Sequence, residues 1–259
     1  EIVVAELAEY PFESFAQEPS MLKAYIQQTA MADCMDQVNA MLDGYGVTQR
    51  RYVQIESQNW NALWESNFEE VLVADRVAIR APFHAPHPEL GSLDIVIMPK
   101  MSFGTGHHST TRLMVEMLLG MDVEDRKGLD MGSGTGVLAI VALKCGAREM
   151  VAVDIDDWAC DSCRDSTALS GVEMDVRCGS IDVVGGEKFD FVLANINRNI
   201  LVQMMPSFAE ALSTDGQLLM SGFLAEDVPV IKASAEEHGF CVEHTAQREG
   251  WMVVQCKKL

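Results

Sequence analysis

Four polar residues stand where apolar runs end, and their types suit one ligand chemistry. Asp130 ends a short run at Gly128-Leu129, and Asp154 ends the run over 150–153. Ser180 follows the segment 174–177, and Asn195 follows the apolar stretch 189–194. Between the two aspartates lies a turn with glycine at 132, 134 and 136, then an apolar run over 137–144 stopped by Gly146. The order is strand, glycine turn, helix, strand, acid, which is the front of a nucleotide-binding α/β unit. A carboxylate just ahead of the glycines repels a pyrophosphate, which binds bare N–H groups at a helix N-terminus. It suits a phosphate-free ligand that carries an ammonium and a sulfonium, and S-adenosylmethionine (SAM) has both. Asp154 is placed to accept charge-assisted hydrogen bonds from ribose hydroxyls. A dinucleotide site would need its third glycine where Val137 stands.

Methyl transfer from a sulfonium is an in-line displacement, so aligning the nucleophile supplies much of the catalysis. An amine whose hydrogens are taken by the Asn195 side-chain oxygen and the Ile196 carbonyl keeps its lone pair directed at the methyl carbon. A lysine amine must first lose a proton, since its reference pKa is about 10.4. Desolvation beside a cation lowers that value. No general base stands out, which leaves the proton to solvent. Asn195 has a structural alternative as the N-cap of the helix that follows. The loop 101–111, MSFGTGHHSTT, precedes a helix expected over 113–119. Thr111 either contacts the ligand as the loop folds over it or, with Thr110, caps that helix.

Ligands of open α/β sheets bind beyond the carboxyl ends of the strands, so Asp130, Asp154, Ser180 and Asn195 should converge. The remaining elements supply such a sheet. A helix over 157–169 leads to a strand over 174–177. A helix over 199–212, a strand over 217–221, a helix over 224–238 and a closing pair over 240–245 and 250–257 follow. Alternating strands and helices imply a parallel sheet, to which the last pair adds an antiparallel edge. Ahead of it, 71–79 and 94–97 read as short strands around a proline-rich loop over 81–88. Residues 1–58 read as a separate α+β unit: helix 2–9, two strands to residue 27, helix 30–42 and strand 51–56. That is a split-βαβ pattern lacking its first strand. The chain starts at Glu1 without a methionine, apparently within a helix, so the unit reads as N-terminally truncated. Residues 59–70, with Trp60 and Trp64 at helical spacing, read as an interdomain linker, and 71–259 as the catalytic domain.

The chain has 259 residues and a formal net charge of −20. This balance argues against direct binding to a nucleic-acid backbone, which needs Lys and Arg. It suits a basic protein partner drawn by long-range attraction. No apolar run reaches the ~20 residues of a membrane span, and no signal peptide is visible in these residues. Seven cysteines, an odd and scattered set, fit a reducing cytoplasm. Cys160 and Cys163 have CxxC spacing on an expected helix, without partners for a zinc site, and read as packing thiols. His84 and His87 read as solvated loop histidines. His107 and His108 are adjacent and diverge, which disfavours a shared metal.

MSFGTGHHSTT, DMGSGTGVLAI, VAVDIDDWA and FDFVLANINRNIL, in this order and spacing, resemble the bacterial methyltransferases of the eleventh large-subunit ribosomal protein. The resemblance covers nearly the whole chain. It implies a Rossmann-like, seven-stranded SAM-dependent methyltransferase domain behind a small ferredoxin-like domain that binds the substrate. It implies methylation of lysine ε-amines and of the N-terminal α-amine of that ribosomal protein. Carried over, Thr111, Gly132, Asp154 and Asn195 contact SAM, with Asn195 also facing the amine; Asp130, Gly134 and Ser180 complete the expected site. The chain departs from the family pattern at His107 and Ser109, where threonine and proline are usual, and at Asn197, where leucine is usual. A glutamine methyltransferase would carry Asn-Pro-Pro-Tyr where Asn195-Ile196-Asn197 stands. A small-molecule methyltransferase and a non-enzymatic SAM-sensing module that grips a basic protein remain as other classes.

Overall fold

The computed structural model describes residues 2–19, 21–54, 68–98 and 104–259. The chain separates into two compact units, Glu1–Leu63 and Trp64–Leu259.

In the first unit, helix α1 (Ile2–Leu7) is followed by strands β1 (Phe12–Glu18) and β2 (Met21–Ile26), which pair antiparallel, and by helix α2 (Gln28–Gly44). The apolar positions of α2 recur at helical spacing, and its buried Cys34 and Val38 meet Leu7 in a small core. The strand expected over 51–56 is absent at 51–54, and residues 55 and 56 lie outside the described set. Side chains hold this segment to α2 instead of a ladder. Arg50 Nη1 donates to Asn39 Oδ1 at 3.0 Å, and the Tyr52 hydroxyl donates to the same oxygen at 2.5 Å. The tryptophan segment expected as a linker lies almost wholly outside the described residues.

The second unit begins with a three-stranded sheet of β3 (Val71–Val73), β4 (Val77–Arg80) and β5 (Asp94–Val96). The single strand expected over 71–79 is a tight hairpin, because Ala74 and Asp75 adopt positive φ of 50° and 51°. Arg80 grips Asp94 with two bonds, Nε–Oδ1 at 2.7 Å and Nη2–Oδ2 at 2.9 Å. The loop histidines are partnered rather than solvated. His84 sits between the Ala81 amide and the Phe68 carbonyl, and His87 lies between Glu70 and Glu89.

The central sheet has seven strands: β6 (Lys127–Met131), β7 (Glu149–Asp154), β8 (Asp175–Cys178), β9 (Phe189–Asn195), β10 (Leu212–Leu224), β11 (Phe240–Arg248) and β12 (Trp251–Lys258). Their spatial order is β11-β12-β10-β9-β6-β7-β8. The five from β8 to β10 run parallel, and β12 and β11 add the antiparallel edge. Helices α3 (Ser109–Leu118), α4 (Val137–Lys144), α5 (Asp157–Leu169), α6 (Arg198–Ala211) and α7 (Val228–Glu237) complete the unit. Side chains of β9 alternate, as a strand's geometry requires. Phe191 and Leu193 join the core formed with α3 and α4, while Val192 and Ala194 join the core formed with α6 and α7. The chain leaves β6 for β7 and β8 on one side and returns to β9 and β10 on the other. The crevice between the ends of β6 and β9 is therefore the topological switch point, where such sheets bind ligands.

Candidate active site

The glycine turn is pinned between two strand ends. The amides of Gly132 and Ser133 both donate to the Val153 carbonyl of β7, at 2.8 and 3.1 Å. Gly132 has φ +74°, and a Cβ there would run into the Ile196 side chain beyond β9. Only glycine lets the turn meet that segment. Asp130 stands one residue before the end of β6 with 1% exposure. Its Oδ2 accepts the Ala139 amide of α4 at 3.1 Å, and its Oδ1 is buried without a partner. Burial first, and then the negative charge of Asp154, push the Asp130 carboxyl up to about 7, against the Ala139 hydrogen bond.

Asp154 ends β7. Its Oδ2 accepts the Gly134 amide at 2.9 Å and its Oδ1 the Asp156 amide at 3.1 Å. Each carboxylate oxygen retains a second lone pair for a ligand donor. Ser180 follows β8 at an exposed position, and its hydroxyl turns to Asp182 Oδ2 at 3.0 Å. Ser180 is thus one strand beyond Asp154, at the open end of the crevice.

Asn195 ends β9, and its Oδ1 is buried and unpartnered. It does not cap the next helix. That role falls to Asn197, whose Oδ1 accepts the Ile200 amide at 3.2 Å. Neither Thr110 nor Thr111 caps α3. His108 does, through Nδ1, which accepts the Thr110 amide at 3.3 Å and lies 2.8 Å from the Thr110 hydroxyl. Thr111, one residue further into α3, is 1% exposed and its Oγ1 has no partner. The loop before α3 reaches the glycine turn where the Thr135 hydroxyl donates to the Gly104 carbonyl at 2.7 Å. The expected loop residues 101–103 lie outside the described set.

Beside Asn195 opens a cavity of about 270 Å³ lined by His108, Thr110, Asn195, Ile196, Asn197, Gly222 and Trp251. Gly222, at φ +99° near the end of β10, lets that strand approach the Ile196 backbone, which a Cβ would strike. Trp251 opens β12 and meets the His108 ring edge-on at 4.7 Å. The turn before it is tied to α3 twice. Ser109 donates to Glu249 at 2.5 Å, and Arg248 donates to Glu116 at 2.9 Å. Sequence reasoning missed Trp251 and Gly222 as site residues. Gly222, a glycine inside a strand, carried the signal of a close backbone approach. Trp251 carried none, because only the pairing of β12 with β10 brings it there.

Among the described residues no group of three or more His, Cys, Asp or Glu is arranged to hold a metal, and no helix is long and apolar enough to cross a membrane. The buried oxygens instead want donors. Leaving a buried polar atom unsatisfied costs about 1–3 kcal/mol, and Thr111 Oγ1, Asp130 Oδ1 and Asn195 Oδ1 are without partners. A cationic ligand rich in N–H and O–H groups fits this set, and a phosphate beside two aspartates does not. SAM is such a ligand.

A glycine turn flanked by strand-end acids, at the switch point of this sheet, defines an α/β methyltransferase that uses SAM. The sequence comparisons narrow the class. The chain belongs to the ribosomal protein L11 methyltransferase family, whose sequence model, "Ribosomal protein L11 methyltransferase (PrmA)", matches residues 4–259. It is 40% identical to the ribosomal protein L11 methyltransferase of Porphyromonas gingivalis, over 98% of this chain and 89% of that protein. It is 39% identical to the protein of the same name from Bacteroides thetaiotaomicron, over 98% of this chain and 92% of that one. The crystal structure of ribosomal protein L11 methylase from Lactobacillus delbrueckii subsp. bulgaricus superposes with a TM-score of 0.69 at 27% identity, covering 74% of this chain and 100% of that one.

Proposed function

We propose that this enzyme transfers methyl groups from SAM to lysine ε-amines and to the N-terminal α-amine of ribosomal protein L11. The observation that carries the reading is the buried, unpartnered Asn195 Oδ1 at the wall of a cavity beside the glycine turn. In this reading Thr111, Asp130, Gly132, Gly134, Asp154, Ser180 and Asn195 hold SAM, and Asn195 is also the catalytic residue. Asp154 takes ribose hydroxyls, and Asp130 answers the ligand's positive charge. Ile155, 75% exposed next to Asp154, offers an apolar face to the adenine.

When bound, SAM supplies an electrophilic methyl group. The chain's own task is to orient and desolvate the amine. Asn195 Oδ1 and the Ile196 carbonyl accept its hydrogens, so the lone pair points forward. Trp251 gives the lysine stem an apolar wall, and the ammonium proton leaves to solvent as the side chain enters the cavity.

Residues 1–58 serve as a ferredoxin-like substrate-recognition domain, 59–70 as a linker and 71–259 as the methyltransferase domain. A net charge of −20 supports capture of a basic protein, and a ribosomal substrate supports a cytoplasmic location. The test is transfer of a labelled methyl group to purified L11, followed by mass mapping of the modified amines. Label on lysine and on the N-terminal amine is expected. Label on glutamine, or none on L11 while SAM binds, would overturn the substrate assignment.

A further inference from the structure

The helix α5 and the end of β8 meet through two cysteines. Cys160 on α5 and Cys178 at the tip of β8 are joined sulfur to sulfur, with their Cα atoms 6.0 Å apart. That span lies inside the roughly 4.4–6.8 Å a disulfide bridges without backbone movement. Cys160 is therefore not the packing thiol its spacing suggested, whereas Cys163 is: it is free and buried, and desolvation first pushes its thiol up to about 12.

 Cys178 is exposed, whereas Cys160 is fully buried. Arg164 Nη2 lies 3.7 Å from the Cys178 sulfur, so a positive charge faces the atom through which exchange with solvent species starts.

The pair adjoins Asp154. Cys178 is the register partner of Asp154 across β7 and β8. The Asp154 carbonyl accepts the Gly179 amide at 2.8 Å, and the Cys160 sulfur lies 3.5 Å from the same oxygen. The turn Cys178-Gly179-Ser180 therefore hangs between the thiol pair and the crevice acid.

We propose that Cys160 and Cys178 form a thiol–disulfide exchange site for low-molecular-weight disulfides, and that closing it fixes the 178–180 turn and strengthens SAM binding. The inference rests on the crevice reading given above. In the forward direction the Cys178 thiolate attacks one sulfur of the small disulfide, forming a mixed disulfide and releasing one small thiol. Cys160, giving its proton to solvent, then attacks the Cys178 sulfur and releases the second small thiol. Two electrons pass from the protein to the small disulfide, and two protein thiols become one disulfide. The cross-link removes freedom from a turn that otherwise loses it on binding, which raises affinity by preorganisation.

The full chain, equilibrated with glutathione disulfide or with dithiothreitol, is examined by peptide mass mapping and by SAM titration calorimetry. Oxidation is expected to link peptides containing Cys160 and Cys178, with loss of two hydrogen atoms, and to tighten SAM binding by about threefold or more. Cys178→Ser, checked for folding by circular dichroism, should bind SAM equally in both buffers. A different cysteine pair, no cross-link, or equal affinities for the oxidised and reduced wild type would overturn the proposal. Absence of SAM binding in both buffers would instead sink the crevice reading, and the peptide map would then judge the exchange site on its own.

Discussion

Asp130 and Asp154 stand at the tips of adjacent parallel strands, and together with burial the charge on Asp154 holds a proton on Asp130 near neutral pH. A ligand cation favours the ionised form. SAM binding should therefore release a proton at pH values below about 7. Affinity should rise with pH, by up to about tenfold per unit, and level off above that value. Calorimetry across roughly pH 5.5–8.5, in buffers of different ionisation enthalpy, measures both effects. Asp130→Asn should flatten the profile; a wild-type affinity independent of pH would remove Asp130 from the site. The sign for stability is opposite. The folded-state value lies above the unfolded reference of about 3.9, so the ligand-free protein loses stability as pH rises toward about 7.

Asp154→Ala should weaken SAM binding by about 2 kcal/mol, the scale of a hydrogen bond to a charged group. It should also loosen the Gly134 and Asp156 amides that the carboxylate now holds. Titration calorimetry measures the first effect, and amide hydrogen exchange the second. Unchanged affinity would exclude the ribose role.

Asn195 and Asn197, two residues apart, separate function from structure. Asn195→Ala should depress kcat while leaving the melting temperature near wild type, because its Oδ1 bonds nothing in the protein. Asn197→Ala should cost about 1 kcal/mol of stability through the lost cap of α6. Steady-state kinetics and denaturant melts on both variants test the pair. Full turnover by Asn195→Ala would refute the orienting role.

Arg80 and Asp94 form a nearly buried pair, and Arg80 with its hydrogen bonds holds the Asp94 carboxyl below its usual range against the pull of desolvation. The stability this pair contributes is present above the unfolded reference of about 3.9 and is lost as pH falls through the lower folded value. Asp94→Ala leaves the guanidinium buried and uncompensated and should cost about 3 kcal/mol. Denaturant unfolding at neutral and acid pH checks the size and the direction. The deficit of the variant should shrink in acid.

Gly222→Ala adds a Cβ against the Ile196 backbone at φ +99°. It should push the Asn195-Ile196 segment away from β10, lowering kcat more than it weakens SAM binding, with about 1–3 kcal/mol of strain. Parallel kinetics and melts check it, and wild-type values in both would show that the close approach is dispensable.

The sequence alone determined the order of strands and helices in the larger unit, because apolar runs, caps and glycines act locally. It also placed Asp130, Asp154 and Asn195 at strand ends, since each polar residue ends an apolar run that a strand must bury. Local signals misled where two arrangements satisfy the same pattern. The run over 71–79 serves as one strand or as a hairpin, and two positive-φ residues decided for the hairpin. His108 outcompeted two threonines for the α3 cap, a choice among neighbours that preference scales do not settle. The tertiary structure alone decided that Trp251, far along the chain, faces the cavity beside Asn195. It alone joined Cys160, which the sequence suggested as a packing thiol, to Cys178. Those meetings depend on strand order and register, and a residue's neighbours across a sheet are fixed by the pairing of distant segments, which no local pattern encodes.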